Sequence, residues 1–156
     1  SGHYRDLPPG LEAPELALSV FYDKIIRRGF INRCGRILNL HNSPLPRYRG
    51  MAPINWALRH GETEHGVTLH EIVEAVDAGP IVAQVRFSIW PAQDEVGDVY
   101  RRCLAFGYTL FEQTIPRLEA ITAIPQDEGQ ALHYTAKDQA RLGDRRWFTR
   151  AEAGPR

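Results

Sequence analysis

Glu15-Leu16-Ala17-Leu18-Ser19-Val20-Phe21 and Arg36-Ile37-Leu38-Asn39-Leu40 are two short apolar runs, and the segment between them decides the fold. Runs this short, without strict alternation, read as strands buried on both faces of a parallel sheet. Between them, Tyr22 to Arg33 is predicted to be a helix, with Ile25, Ile26, Phe30 and Ile31 on one face and Asp23 near its start. Gly35 breaks that helix before the second run begins. A strand, one helix and a second strand make a βαβ crossover, so the two strands are expected to be parallel.

Downstream, residues 41–50 form a stiff loop, because Pro44 and Pro46 fix their own φ and restrict the residues before them. Pro53 suits the first turn of a helix that runs to about Arg59 and closes at Gly61. The hydrophobic period then becomes two: Val67 and Leu69, then Ile81, Ala83, Val85, Phe87 and Ile89, alternate with polar or exposed positions. This predicts two longer antiparallel strands around Asp77-Ala78-Gly79-Pro80. From Asp94 to about Leu118, apolar residues spaced three and four apart predict the longest helix. Residues 1–14, with Pro8, Pro9, Gly10 and Pro14, read as an N-terminal arm. Residues 15–120 read as the globular unit, and 121–156, polar beyond Pro125, as an irregular tail.

The chain has 156 residues, enough for one core but hardly two. With 43% hydrophobic and 24% charged residues it is not a disordered sequence. Nineteen basic and nineteen acidic residues cancel, so the basic surplus that accompanies nucleic-acid binding is missing, and no nucleic-acid partner is expected. No apolar run approaches the roughly 18 residues of a membrane span, so no membrane partner is expected either. Cys34 and Cys103 read as thiols of a reducing compartment, which points to the cytoplasm.

Asn39 and His41 lie two apart at the end of a strand, so their side chains share a face. In open α/β sheets, ligands sit beyond the carboxyl ends of parallel strands. An amide beside an imidazole there can stabilise a developing oxyanion and relay a proton. The imidazole needs a carboxylate, and Asp77 in the hairpin turn is the best placed. The plainer alternative is that Asn39 ends a strand and His41 caps the next turn. His60, His65 and His70 carry no metal-site spacing, since His65 and His70 are an odd number apart on a strand, and no metal is expected. Cys103 on the apolar face of a helix reads as packing.

The segment Asn39-Leu40-His41-Asn42-Ser43-Pro44-Leu45-Pro46-Arg47-Tyr48-Arg49-Gly50, with Asp77-Ala78-Gly79 at an interval of 38, resembles the signature of the folate-dependent formyltransferases. That family includes methionyl-tRNA formyltransferase, glycinamide ribonucleotide transformylase and the nucleotide-sugar N-formyltransferases. Pro53-Ile54-Asn55-Trp56-Ala57-Leu58 and Gly61-Glu62-Thr63-Glu64-His65-Gly66-Val67-Thr68-Leu69-His70 are most similar to the sugar branch. The resemblance spans about Glu15 to Leu118. It implies an α/β, Rossmann-like fold with parallel strands followed by a hairpin and a long helix, the family's first βαβ repeats being missing. Ser-Pro-Leu-Pro stands at 43–46 where the family often has Ser-Leu-Leu-Pro.

The implied activity is transfer of a formyl group from N10-formyltetrahydrofolate to the amine of a small acceptor, an amino-sugar nucleotide. Asn39, His41 and Asp77 match the family's catalytic trio. Asn39 and His41 would meet the oxygen, each such donor being worth on the order of 10²–10³ in rate. Asp77 would hold His41 in its working tautomer and help remove the amine proton. Folate contacts map onto Tyr22, Asp23, Lys24, Ile25 and Ile26 and onto the turn of Val76, Ala78 and Gly79. Ser43, Arg47, Tyr48 and Arg49 are expected at the substrate, the arginines on phosphates or on the folate glutamate tail. The alternative for Arg47 and Arg49 is pairing with carboxylates. Two other readings share the resemblance: a hydrolase that gives the formyl group to water, and a non-catalytic folate-binding remnant.

Without the first repeats, the strand at residues 15–21 becomes an edge with uncovered Leu16, Leu18 and Val20. The expectation is a homodimer that covers this edge, or a longer protein whose first strands are absent, with weak folate binding by the isolated monomer. Light scattering that shows a stable monomer, together with tight formyltetrahydrofolate binding, would contradict it.

Overall fold

A computed structural model describes residues 12, 14–20, 22 and 24–143. Along them run β1 (Leu16–Val20), α1 (Arg28–Ile31), β2 (Arg36–His41), β3 (Arg49–Gly50), α2 (Pro53–Arg59), β4 (Glu64–Glu71), β5 (Ile81–Ser88), α3 (Val96–Thr114) and β6 (His133–Tyr134). One sheet has the order β1-β2-β4-β5, and β3 pairs with β6 in a second. β1 and β2 are parallel, with Leu16 opposite Arg36 and Val20 opposite Leu40, as the crossover predicts. β2 also pairs antiparallel with β4, and β4 with β5, which gives the expected hairpin.

Two expectations about the crossover are corrected. The helix predicted over Tyr22 to Arg33 is a single turn, Arg28–Ile31, with no side-chain cap. Short helices need a packed apolar face, and here Ile25 is 68% exposed and no residue of α1 is buried. β1 is not buried on both faces: it is the sheet's edge among the described residues, with Leu18 43% and Val20 51% exposed.

Alternation along β2 sends Leu38 and Leu40 to one face and Asn39 and His41 to the other. The leucine face carries the core. α3 crosses it so closely that a Cβ on Gly107 would lie 3.2 Å from Leu40 and 3.4 Å from Val67. Val67, Leu69, Val99, Trp56, Ala57 and Leu58 are all buried around this contact. Cys103 joins them, and burial pushes its thiol up to about 12, the behaviour of a packing residue. α3 begins with a reciprocal cap, Asp98 accepting the Glu95 N–H at 2.8 Å. It passes into a 3-10 turn over Ile115–Ala120 at Pro116, where a proline ring cannot continue the α-helical ladder.

Between Pro125 and Gly143 the chain has little regular structure but is firmly attached. Ile124 bridges to Ile81, β6 pairs with β3, and Leu142 is buried with its carbonyl held by Arg59 at 2.7 Å. Residues 1–11 and 13 of the expected arm and 144–156 of the expected tail lie outside the described residues. No helix among those described is long and apolar enough to cross a membrane.

His65 sits fully buried on β4, edge-on to Phe87, with Nε2–H donating to the Asn42 carbonyl at 2.9 Å. Burial drives its imidazole down from 6.5 to about 4. The unfolded chain therefore binds a proton in this window that the folded chain refuses. Stability from this site is complete above the unfolded value and is lost as pH falls through the window from about 6.5 to about 4, by roughly 3 kcal/mol. Replacing His65 by Gln keeps a donor for Asn42 and removes the titration. Urea unfolding from pH 7 to pH 4 should show a markedly shallower loss of stability in that variant.

Candidate active site

The site face of β2 meets β4 with Asn39 opposite His70 and His41 opposite Thr68. His70 donates from Nδ1 to the Glu71 carbonyl at 2.8 Å, so its Nε2 lone pair accepts the Asn39 amide N–H at 3.2 Å. That contact orients the Asn39 amide. Among the described residues its second N–H has no partner. His41 donates from Nε2 to the Tyr48 carbonyl at 3.0 Å and turns Nδ1 toward Asp77, 3.6 Å from Oδ2. The neutral tautomer of His41 is thus selected by the Tyr48 carbonyl, where the resemblance had implied Asp77. Asp77 Oδ2 accepts the Gly50 N–H at 2.8 Å, and Oδ1 lies 3.6 Å from His70 Nε2. Asn39, His41 and Asp77 therefore converge, and His70 stands between the first and the last.

Asp77 reaches this place through a strained backbone. Its φ is +51°, in the left-handed region that a non-glycine residue rarely occupies. Two residues on, Gly79 passes so close to β4 that a Cβ would fall 1.8 Å from the Glu71 carbonyl oxygen. Tyr48 also has a left-handed φ of +61°, and it is the residue whose carbonyl holds His41. Such strain gathers where the surroundings hold a residue for a task.

Electrostatics keep the trio in defined states. Burial alone would raise the Asp77 carboxyl, but the two imidazoles and the Gly50 N–H hold it well below the usual carboxylate range. Burial pushes His41 below the ordinary histidine value against the pull of Asp77, the Tyr48 carbonyl acting with Asp77. At neutral pH the site is thus an anionic carboxylate facing a neutral imidazole whose Nδ1 can accept a proton.

The other expected site residues divide. Ser43 is fully buried and donates to the Arg47 carbonyl at 2.8 Å. Arg47 pairs with Glu62, which also accepts the buried Tyr48 hydroxyl at 2.6 Å. Arg49 is 6% exposed and its guanidinium is engaged by Gln126 and Glu128. Both arginines thus pair with carboxylates. Tyr22, Lys24, Ile25 and Ile26 follow the carboxyl end of β1, beside the end of β2 that carries the trio. Asp23 lies outside the described residues. Val76, Ala78 and Gly79 flank Asp77, and just outside the two segments Arg28 faces Glu74 at 3.7 Å. Ile25 and Val76 leave apolar surface exposed there.

His70, which carries no metal-site spacing in the sequence, contacts two members of the trio. Between Leu69 and Glu71 it is one more polar position of β4, and only the β2–β4 register shows that it faces Asn39. Replacing His70 by Leu leaves the Glu71 carbonyl unpartnered and the Asn39 amide unoriented. Urea unfolding at pH 7 should show a loss of about 1–3 kcal/mol. Carboxyl NMR should show the Asp77 titration moving up toward the ordinary value.

The family model described as formyl transferase matches residues 10–115. Several solved structures share the fold. An N-formyltransferase from Helicobacter canadensis, in complex with folinic acid and dTDP-3-aminofucose, is 28% identical with a TM-score of 0.70; the match covers 78% of this chain and 45% of that one. WlaRD, a sugar 3N-formyl transferase solved with dTDP and 5-N-formyl-THF, is 28% identical with a TM-score of 0.73, covering 81% and 47%. The formyltransferase PseJ from Anoxybacillus kamchatkensis, in complex with a UDP-linked formamido sugar and tetrahydrofolate, is 28% identical with a TM-score of 0.70, covering 81% and 67%. The chain thus spans about half the length of the first two and two thirds of the third. With the family model spanning the crossover, the site loop, the hairpin and all of α3, this chain belongs to the formyl transferase family.

Proposed function

We propose that this chain transfers a formyl group from a formyltetrahydrofolate to the amine of an amino-sugar nucleotide. The observation that carries the reading is the convergence of Asn39, His41 and Asp77 at the carboxyl end of β2. That donor set suits acyl transfer to an amine, which needs an amide donor at the oxygen and a base with an anionic neighbour for the proton. The relatives solved with folates and with nucleotides or nucleotide sugars support the donor and acceptor classes.

The folate, when bound, supplies the formyl group. Ile25 and Val76 offer exposed apolar surface on the two segments where its contacts map. The free N–H of Asn39, aimed by His70, meets the charge that builds on the formyl oxygen as the amine attacks. His41 would take the amine proton on Nδ1 and return it to the folate nitrogen as the bond between that nitrogen and the formyl carbon breaks, with Asp77 stabilising the intervening imidazolium across 3.6 Å. Tyr48 holds the opposite nitrogen, so the ring does not rotate as its charge changes.

The reading is tested by incubating the chain with N10-formyltetrahydrofolate and a panel of amino-sugar nucleotides, followed by mass spectrometry for formylated product. Formate released equally with and without amine would point to hydrolysis instead. In Asp77→Asn a neutral amide no longer stabilises a charged imidazole. Turnover should fall by about 10²–10⁴ while folate affinity changes little. Equal losses in both would place Asp77 in the fold or the folate pocket.

A further inference from the structure

Forty-nine residues beyond Asp77, Gln126 reaches back under the turn that carries the carboxylate. Its Nε2 donates to the Asp77 carbonyl at 2.8 Å and to the Gly79 carbonyl at 2.7 Å. Its Oε1 accepts from Arg49 Nε at 3.0 Å and from Arg49 Nη2 at 2.7 Å. All four hydrogen-bonding positions of the amide are therefore filled. Arg49 is buried and is clamped further by Glu128, at 2.9 and 2.7 Å. The next residue, Gly50, donates its N–H to the Asp77 carboxylate. Asp77 is thus gripped twice through one short segment: at its side chain by Gly50 directly, and at its backbone by Arg49 through Gln126.

We propose that Gln126 is a positioning residue for Asp77: with Arg49, it holds the left-handed turn that keeps the Asp77 carboxylate against His41. This rests on the catalytic role given to Asp77 above. No contact that Gln126 makes with substrate is needed; it acts through the turn. The requirement is specific. A group here must donate twice to carbonyls on one side and accept from a guanidinium on the other, and among neutral side chains of this length only glutamine does both. A carboxylate keeps the Arg49 contact but turns acceptors toward two carbonyls. A leucine loses both sides.

The test uses Gln126→Glu, Gln126→Leu and the double variant Gln126→Leu/Asp77→Asn. Turnover should fall about 10²-fold in each single variant, the cost of a misplaced reacting group, with KM for the folate little changed. In the double variant the loss should barely exceed that of Asp77→Asn alone, because both changes disable one device. The His41 imidazole, followed by NMR, should titrate lower in Gln126→Leu than in the wild type, since it loses the nearby anion. Additive losses, or an unchanged His41 titration, would overturn the proposal. Failure of both single variants to fold would also overturn it, by making Gln126 a structural residue. A wild-type chain that transfers no formyl group would defeat the proposed function instead, and the His41 titration would still decide the positioning role.

Discussion

The register between β2 and β4 is the constraint on which the molecule depends. Leu40 stands opposite Leu69, Asn39 opposite His70 and His41 opposite Thr68, so one face of the pair is apolar and the other polar. Because side chains alternate with a period of two, a slip of one residue would turn Asn39 and His41 into the contact with α3 and expose the leucines. The loop over the polar face locks the pairing. Leu45 donates its N–H to Thr68 at 3.1 Å, Thr68 donates to the Ser43 carbonyl at 2.7 Å, and Gln84 donates to the Leu45 carbonyl at 2.9 Å. Core and site are two faces of a single pairing decision.

The site draws on stability that the core supplies. Asp77 and Tyr48 occupy backbone regions that cost of order 1–3 kcal/mol each. Withdrawing a carboxylate from water costs several kcal/mol more unless donors and opposite charge replace the lost hydration. The Gly50 N–H does so directly, and His41 and His70, each 3.6 Å away, add opposite charge when they are protonated. The same contacts leave His41 with a single arrangement, one nitrogen on a fixed carbonyl and the other toward a fixed anion. Reacting groups that are oriented beforehand need little rearrangement when charge develops.

Much of this was legible in the residues. The interval from Asn39 to Asp77, the stiff proline loop and the change of hydrophobic period located the strand end, the hairpin and the long helix, and α2 and α3 formed close to their predicted limits. The crossover helix shrinks to one turn because Ile25, Ile26, Phe30 and Ile31 have a helical spacing but Ile25 is exposed and no residue of α1 is fully buried, and spacing without a buried face does not hold a short helix. For His70 the sequence offers only its parity relative to His65. Its cross-strand neighbour, thirty-one residues away, is the one that matters. Gln126 lay in a polar segment that read only as a tail, and nothing local marks a side chain that serves a turn forty-nine residues earlier.

By itself the sequence determined the element types, the strand-end placement of Asn39 and His41, and the chemical kinds of group at the site, since these follow from local sterics and from hydrophobic periodicity. Tertiary structure alone decided which partners those groups have. It gave the Asn39 amide to His70, the His41 proton to the Tyr48 carbonyl, and the Asp77 turn to Gln126 and Arg49. Tertiary structure also decided how far the apolar residues of β1 are covered, because burial depends on what lies beside a strand as well as on what it contains. The physical reason is common to all of these: a hydrogen bond between distant residues depends on a register and a chain path that no local pattern records.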